Sequence, residues 1–349
     1  MKRLKIVATL AACVMSLGLV AGCSQSTSSD TASETGASES SVEQTEAAYP
    51  VTIENNGVEW TYESAPEKVI AADYVAAQLM CALGLEDHVM MIAPGDYDLA
   101  DVSAEYQDTI EAMTMFDESQ LNLGVVPTFE AVLATDPDMV IGNFYTFMDS
   151  NAGSIEKYVE SGVNAYASEG TYVEQPTLEH VYNDIANLGL IFDVEERADE
   201  LIAELKAREE AVVEALADVD EATPVFVYDF DTEGSINTTG GTTLEDYLIS
   251  LAGGKNVFDS LDTQYATIST EEIASMDAEW VIVNAYTSIL GDDFESKIET
   301  FKSDALYAEV PAVVNDNFKV VRVINVQPGL QALDALEDLA QTLHPEAFE

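Results

Sequence analysis

Two hydrophobic periodicities alternate along the chain. Short apolar runs bounded by Gly, Pro or polar residues read as strands: Lys68 to Ala72, Val89 to Ala93, Asp138 to Gly142 and Gly162 to Ala167. Ala76 to Leu83 lies between the first two and reads as a helix stopped by Gly84. Strands that are continuously apolar are buried on both faces, and their alternation with helices argues for a parallel α/β sheet. Ahead of them, Val51 to Tyr62 alternates with period two around Asn55-Asn56-Gly57, the pattern of a β-hairpin. Glu195 to Ala217 is the longest helical pattern. It contains no Gly or Pro, and Ala198, Leu201, Ile202, Leu205, Val212 and Leu216 share one face. At 1.5 Å per residue it is a rod of roughly 34 Å, about a domain's width, placed mid-chain where it can bridge two lobes. The α/β pattern then restarts. Pro224 to Phe230, Glu279 to Ala285 and Phe318 to Ile324 read as strands. Leu244 to Leu251 reads as a helix ended by Gly253-Gly254, and Leu330 to Leu343 as a closing amphipathic helix.

The two halves match each other. Thr128-Phe129-Glu130-Ala131-Val132-Leu133-Ala134-Thr135-Asp136-Pro137-Asp138-Met139-Val140-Ile141 aligns without a gap, at an offset of 141, with Ser269-Thr270-Glu271-Glu272-Ile273-Ala274-Ser275-Met276-Asp277-Ala278-Glu279-Trp280-Val281-Ile282. A hydroxyl, a Glu, a branched apolar residue, an Asp, an acid and a Val-Ile pair coincide. Each copy reads as a short helix leading into a central strand, so Glu130 and Glu271 become equivalent positions.

Composition adds a compartment. The chain has 349 residues, 13 Lys+Arg against 65 Asp+Glu, and a formal net charge of −52. That length suits two domains, and 47 % hydrophobic residues suffice for large cores. The charge argues against nucleic acid and against docking on an anionic membrane through charge. Lys2, Arg3 and Lys5 precede the apolar run Ile6 to Val20 and then Val20-Ala21-Gly22-Cys23. This is the pattern of a signal peptide over residues 1–22, and its small residues before a Cys resemble a bacterial lipobox. Cys23 is then the lipidated N-terminus, and acyl chains add about 0.8 kcal/mol of membrane affinity per buried methylene. Residues 23–48 form a Ser, Thr, Glu and Ala tether without aromatic residues. Such a stretch cannot bury enough apolar surface to order, and a flexible chain of that length spans roughly 25–30 Å. Cys13 leaves with the signal, so Cys81, in an apolar stretch, is expected to be a small core residue.

Catalytic constellations are poor. His88, His180 and His344 lack ligand spacing, and neither a phosphate loop nor a Gly-x-Ser-x-Gly elbow is present. Ser154-Ile155-Glu156-Lys157 has the Ser-x-x-Lys spacing without its partner motifs and reads as a helix start. Asp229-Phe230-Asp231-Thr232-Glu233-Gly234 resembles the opening of a calcium loop, but Gly240 stands where the bidentate Glu belongs. No catalytic residue, resident metal or cofactor is expected.

Aromatic residues, in contrast, recur just past strand ends, where open α/β sheets bind ligands. Tyr74 follows the first strand, Asp96 and Tyr97 the second, and Phe144, Tyr145 and Phe147 the third. Tyr172 follows the strand near Ala167, Phe230 ends the Val225 strand, and Tyr286 follows Val283. Such a collection suits a broad or bulky ligand.

At this point the chain resembles a known family, the substrate-binding lipoproteins of ABC importers for ferric siderophores, haem and cobalamin. The likeness runs from about Glu67 to Glu349. It rests on Ala65-Pro66-Glu67-Lys68-Val69-Ile70, Leu83-Gly84-Leu85-Glu86-Asp87 and Pro127-Thr128-Phe129-Glu130, the last leading to Asp136-Pro137-Asp138. Leu251-Ala252-Gly253-Gly254-Lys255-Asn256-Val257-Phe258, Glu271-Glu272-Ile273 and Leu343-His344-Pro345-Glu346 continue it. The resemblance implies an α/β fold of two Rossmann-like lobes with a ligand cleft between them, bridged by a single long α-helix. The expected division is an N-terminal lobe over residues 49–193, the bridge over 194–218 and a C-terminal lobe over 219–349. It also implies an extracytoplasmic carrier, anchored to the cell membrane by its N-terminal lipid, that docks on a permease dimer through one Glu per lobe. Those positions match Glu130 and Glu271.

The expected cleft residues are Tyr74, Asp96, Tyr97, Tyr145, Phe147, Tyr172, Phe230, Tyr286 and Arg322, with Asp98, Asp229 and Asp231 as further acids near strand ends. Catecholate complexes are strongly anionic, yet past the signal the chain has only Arg197, Arg208 and Arg322, the first two on the bridging helix. A neutral or cationic ferric complex of the hydroxamate type is therefore the first expectation. Cobalamin is second, although Trp60 and Trp280 read as hairpin and strand residues. Haem is third, with Met113, Met115 or a Tyr as possible axial ligands. An extracytoplasmic enzyme or a scaffold on the same fold are the alternatives from other classes.

Overall fold

The computed structural model describes residues 49–232, 235–286 and 294–349. The signal, Cys23 and the tether lie outside the described residues. So do Glu233 and Gly234 of the calcium-like stretch, and the side chain of Asp231.

A hairpin of β1 (Val51–Asn55) and β2 (Val58–Tyr62) opens the fold around Asn56 and Gly57. Its inward residues Val51, Ile53, Trp60 and Tyr62 are buried. Asn55 pins it to the first lobe, its amide donating to Ala167 O at 2.9 Å and its Oδ1 accepting from Ala167 N at 2.8 Å.

The first lobe then runs β3 (Val69–Ala71), α1 (Tyr74–Ala82), β4 (Val89–Ile92), α2 (Gln107–Glu111), β5 (Leu121–Asn122), β6 (Val126–Pro127), α3 (Phe129–Ala134), β7 (Met139–Gly142), α4 (Ile155–Ser161), β8 (Asn164–Ala167) and α5 (Leu178–Phe192). Next comes α6 (Glu195–Ala215), and then the second lobe. That lobe comprises β9 (Thr223–Tyr228), β10 (Phe230–Thr232), β11 (Ser235–Thr239), α7 (Leu244–Leu251), β12 (Gly254–Asn256), β13 (Tyr265–Ile268), α8 (Thr270–Ala274), β14 (Trp280–Ala285), α9 (Phe294–Ser303), α10 (Pro311–Asn315), β15 (Phe318–Arg322) and α11 (Ala332–Leu343).

Each lobe is built on a four-stranded parallel sheet, and the two sheets have the same topology. The orders are β4-β3-β7-β8 and β12-β9-β14-β15, so in both the second strand lies outside the first and the third follows on the other side. Each sheet therefore has its switch point between its first and third strands, the place where open α/β sheets leave a crevice at the carboxyl ends. The helices α3 and α8 occupy equivalent places. Thr128 and Ser269 cap them through their side chains, Val132 and Ile273 are fully buried, and Glu130 and Glu271 stand exposed in the first turn.

Three features depart from the pattern read in the sequence. The strand expected from Gly162 begins at Asn164, because Gly162 takes φ +71° and ends α4. The strand expected from Pro224 to Phe230 breaks at Asp229, after which β10 pairs with β11 and β11 with β13 in an antiparallel sheet. Leu178 to Phe192 is a 15-residue helix, α5, packed beside α6. It starts at a Thr177–His180 capping box, without the Glu or Gln that marks such a start in a sequence.

Asp184 of α5 is buried in the first lobe's core. Tyr166 Oη donates to it at 2.7 Å and Glu169 N at 3.0 Å. Burial outweighs these bonds and pushes its carboxyl up to about 8. The unfolded chain ionises the same group near pH 3.9. The folded state thus holds a proton the unfolded state gives up, so the contribution to stability is complete below about pH 4 and is lost as pH rises through about 8. The melting temperature is expected to fall between pH 5 and pH 8.5. In Asp184→Asn, neutral in both states, that fall should be smaller by several degrees in scanning calorimetry; an unchanged pH slope would count against the assignment.

Candidate functional site

The carboxyl ends of the two sheets face each other across a cavity of about 560 Å³, counting its open mouth. The first lobe supplies Tyr145, Gly170 and Thr171 to its wall. The second lobe supplies most of the rest, including Asp229, Thr239, Glu245, Gln264, Tyr265, Asn284 and Tyr286. No arginine, lysine or histidine lines it among the described residues.

A side-chain pair stands at each switch point. In the first lobe Asp73, two residues past β3, caps α1 by accepting from Ala76 N at 2.8 Å and also accepts from Asn143 N, just past β7, at 3.2 Å. In the second lobe Asp229 follows β9, and its Oδ1 accepts from Asn284 Nδ2 in β14 at 3.3 Å. Asn143 and Asn284 keep the offset of 141 and lie two residues beyond the stretch in which the halves were matched. The Asn of each pair thus extends the internal repeat, while Asp73 and Asp229 share only their place after the first strand of each lobe's sheet. Burial raises Asp73 to about 6.

The second lobe's pair is the core of a larger polar group. Tyr286 Oη donates to Asp229 Oδ1 at 2.6 Å. Asn284 Nδ2 also donates to Glu245 Oε2 at 3.1 Å. Lys297 of α9, itself buried, donates to the carbonyl oxygens of Asp229 at 2.6 Å and Asn284 at 2.9 Å. Its ammonium lies 5.5 and 5.6 Å from the ring centroids of Tyr228 and Tyr286, within cation–π range. Burial, with Asp229 close by, pushes the Tyr286 phenol far above its ordinary value.

Of the residues expected in the cleft, Tyr145 and Tyr286 line the cavity, one from each lobe. Tyr145 Oη also reaches Gln264 Oε1 across it at 3.4 Å. Tyr97 is buried over Gly95 beside Asp73, with the charges of Asp96 and Tyr265 near enough to join burial in raising its phenol. Tyr74 is buried with its hydroxyl 3.9 Å from Met115 Sδ, and Tyr172 is half-buried with its hydroxyl accepting from Asn55. Phe147 sits in the first lobe's core, edge-on to Tyr158, because the chain past β7 turns into a short 3₁₀ segment that points this ring inward. Phe230 belongs to β10 and does not line the cavity. Asp98 caps the Leu99–Asp101 turn. Arg322, at the end of β15, lies 3.6 Å from Asp101 of the other lobe and 5.3 Å from the Phe294 ring centroid, so its charge is already engaged.

Thr239, Glu245, Gln264 and Tyr265 were not singled out in the sequence. They come from the antiparallel sheet and the start of α7, which fold over the strand ends. Extending the internal match by two residues would have reached Asn143 and Asn284.

The three histidines have separate local roles. His88 contacts Pro66 O, His180 closes the α5 capping box and His344 contacts Gly253 O. Cys81 is half-buried, and burial pushes its thiol up to about 11. Ser154 is the N-cap residue of α4. Among the described residues no group of three or more His, Cys, Asp or Glu is placed to hold a metal.

Beside the cavity the lobes touch through polar and close contacts. Gln78 Nε2 donates to Gln331 Oε1 at 2.7 Å, and Gln331 Nε2 donates to Asp101 O at 2.8 Å. Two glycines let the backbones meet: a Cβ on Gly170 would lie 2.8 Å from Pro328, and one on Gly329 2.5 Å from Val75 Cγ1.

The comparisons with known proteins agree with this geometry. The family model described as periplasmic binding protein matches residues 69–322, and the chain belongs to that family. A cobalamin-binding protein of Halobacterium salinarum is 23 % identical over 304 residues, 85 % of this chain and 75 % of that one. A periplasmic binding protein from Veillonella parvula superposes with a TM-score of 0.74 at 24 % identity, covering 84 % of this chain and 97 % of its own. An ABC-type Fe3+-hydroxamate transport protein from Saccharomonospora viridis gives 0.71 at 23 % identity, covering 84 % and 99 %. A periplasmic haem-binding protein of Vibrio cholerae gives 0.61 at 18 %, covering 80 % and 99 %.

The glycine contact yields a test of how the lobes meet. Gly329→Ala is expected to cost roughly 1–3 kcal/mol, the usual cost of overpacking. Val75→Ala in the same chain should restore most of it, as read by urea denaturation. Additive losses would mean that the two residues do not touch.

Proposed function

We propose that this protein is the extracytoplasmic solute-binding component of an ABC importer. In this reading it holds a neutral or cationic ferric chelate of the hydroxamate type between its lobes and hands it to a permease. The observation that carries the reading is the cavity itself: it lies at the strand ends of two matching lobes and carries tyrosines, hydroxyls and acids, with no lysine, arginine or histidine among the described residues. A strongly anionic complex would meet repulsion there without a compensating cation. The fold likeness to a protein named for Fe3+-hydroxamate transport is in keeping with it. Cobalamin is the second reading, favoured by the Halobacterium relative that covers 85 % of this chain.

Cys23 would carry the lipid and residues 24–48 would let the globule move above the membrane. Among the described residues no helix is long and apolar enough to cross it. Glu130 and Glu271 would meet basic residues of the two permease subunits. Their matching places on α3 and α8 put an exposed acid at the equivalent position of each lobe, and charge pairs of this kind set orientation and on-rate.

Two measurements test the proposal. Titrating the protein's intrinsic fluorescence should show saturable 1:1 quenching by a ferric trihydroxamate and at least tenfold weaker binding of a ferric catecholate; a preference for the catecholate overturns the ligand reading. Glu130→Ala combined with Glu271→Ala should abolish uptake of the bound chelate in cells while affinity in solution stays within twofold. Uptake at the unmutated rate would rule out docking through this pair.

A further inference from the structure

The second-lobe wall of the cavity contains acceptors that the protein itself does not use. Glu245 is 3 % exposed, Thr239 1 % and Asn284 2 %, and all three line the cavity. Glu245 Oε1, Thr239 Oγ1 and Asn284 Oδ1 have no hydrogen-bond partner among the described residues. A buried polar atom left in this state is costly, so three on one wall call for something supplied from the cavity to satisfy them. Two of the three can only accept when Glu245 is ionised, and the third is a hydroxyl that can accept as well. Charge points the same way. Two buried carboxyls, Asp229 and Glu245, line this wall, and the buried ammonium of Lys297, which does not line the cavity, is bonded to the carbonyl oxygens of Asp229 and Asn284.

We propose that Glu245, Thr239 and Asn284 form a subsite within the ligand cleft that takes a protonated primary amine carried on the periphery of the bound chelate. An ammonium has three N–H donors for these acceptors and a charge opposite to that of ionised Glu245. This inference deepens the carrier reading and rests on it for the identity of the ligand as a chelate.

The protonation of Glu245 follows from the same geometry. Without a cation, burial and the charges of Asp229 and Asp246 push its carboxyl up to about 8. The titratable and charged groups around it are Asp229 after β9, Asp246 on α7, Tyr265 on β13, Tyr286 after β14 and Lys297 on α9. Below that pH the free protein keeps a proton on Glu245. Arrival of the ammonium replaces it: the carboxylic acid and the ammonium become a carboxylate–ammonium pair, and one proton leaves to solvent. Affinity for an amine-bearing chelate therefore rises with pH up to about 8, and affinity for the same chelate without the amine does not. Position in the first turn of α7 favours the ionised form once the pair has formed.

The test uses ferrioxamine B, a ferric trihydroxamate with one free ammonium, and its N-acetyl derivative, which lacks it. Isothermal titration is run at pH 6 and pH 8.5, with the pH 6 measurement repeated in two buffers of different ionisation enthalpy to count protons. The wild-type protein should prefer the free-amine form at least tenfold at pH 8.5, by a smaller margin at pH 6, and release close to one proton at pH 6. Glu245→Gln keeps the shape and the acceptor for Asn284; it should bind both forms within twofold of each other and release no proton. Equal affinity of the wild type for the two forms overturns the subsite, as does a preference that survives in E245Q. Hexylammonium carries the ammonium without the chelate and separates the two claims. If neither ferric complex binds, the chelate reading fails; the subsite still stands if millimolar hexylammonium raises the melting temperature of the wild type but not of E245Q, and falls if both respond alike.

Discussion

The structure depends on one stiff connection fastened at both ends. Helix α6 is 21 residues long, roughly 31 Å; its first half is tied to the first lobe and its second half to both lobes. Near its start, Arg197 Nε donates to Ala82 O of α1 at 2.9 Å, and Gly189 of α5 packs directly against Ala198. Farther along, Arg208 grips Glu337 of α11 with two bonds of 2.8 Å and reaches Asp334 at 2.6 Å. Glu209 lies between the lobes and accepts from Tyr182 of α5 at 2.7 Å and from Tyr247 of α7 at 3.5 Å. A bidentate Arg–carboxylate pair is directional as well as strong. The connection therefore sets both the spacing of the lobes and the rotation of one relative to the other. The glycine contacts at Gly170 and Gly329 and the Gln78–Gln331 bond are possible only at that spacing.

With spacing fixed, matching topology does the rest. Two sheets with the same strand order bring two switch points face to face, so the Asp73–Asn143 and Asp229–Asn284 pairs end up on opposing sides of the junction between the lobes. The lobes then diverge. In the first, the Asp is used up in capping α1 and bracing the turn after β7. In the second, the antiparallel sheet and α7 add hydroxyls, an acid and tyrosines above the pair. The cavity wall is therefore mostly second-lobe chemistry on a scaffold that both lobes share.

The repeating part of this design was legible in the sequence. The hairpin, the parallel strands other than the edge strand β12, α1, α6, α7 and α11 follow from periodicity and from Gly and Pro punctuation, and the internal match located α3, α8 and the strands they feed. Less legible was whatever depends on how a loop folds back. Phe147 and Tyr145 are two residues apart and equally aromatic, yet one packs against Tyr158 and the other faces the cavity, because a single 3₁₀ turn separates them. Arg322 does sit at a strand end, but its charge is spent on Asp101 across the junction, a contact between residues 221 positions apart. Thr239, Glu245, Gln264 and Tyr265 occupy the wall through β11, α7 and β13, and local sequence carries little record of that long-range pairing. The large acidic excess likewise sorts only in three dimensions. Most acids are exposed and solvated, and a few are buried, Asp229 and Glu245 at the cavity among them.

The central claim is that one ligand is held by both lobes at once. Hydrogen exchange of the protein saturated with a ferric trihydroxamate, compared with the ligand-free protein, tests it most directly. The account predicts slowed exchange in two separate places, the Asn143–Thr146 and Gly170–Tyr172 turns of the first lobe and the Thr239–Glu245 and Gln264–Tyr265 stretches of the second. Protection confined to one lobe, or located on the outer faces of α3 and α8, would contradict it.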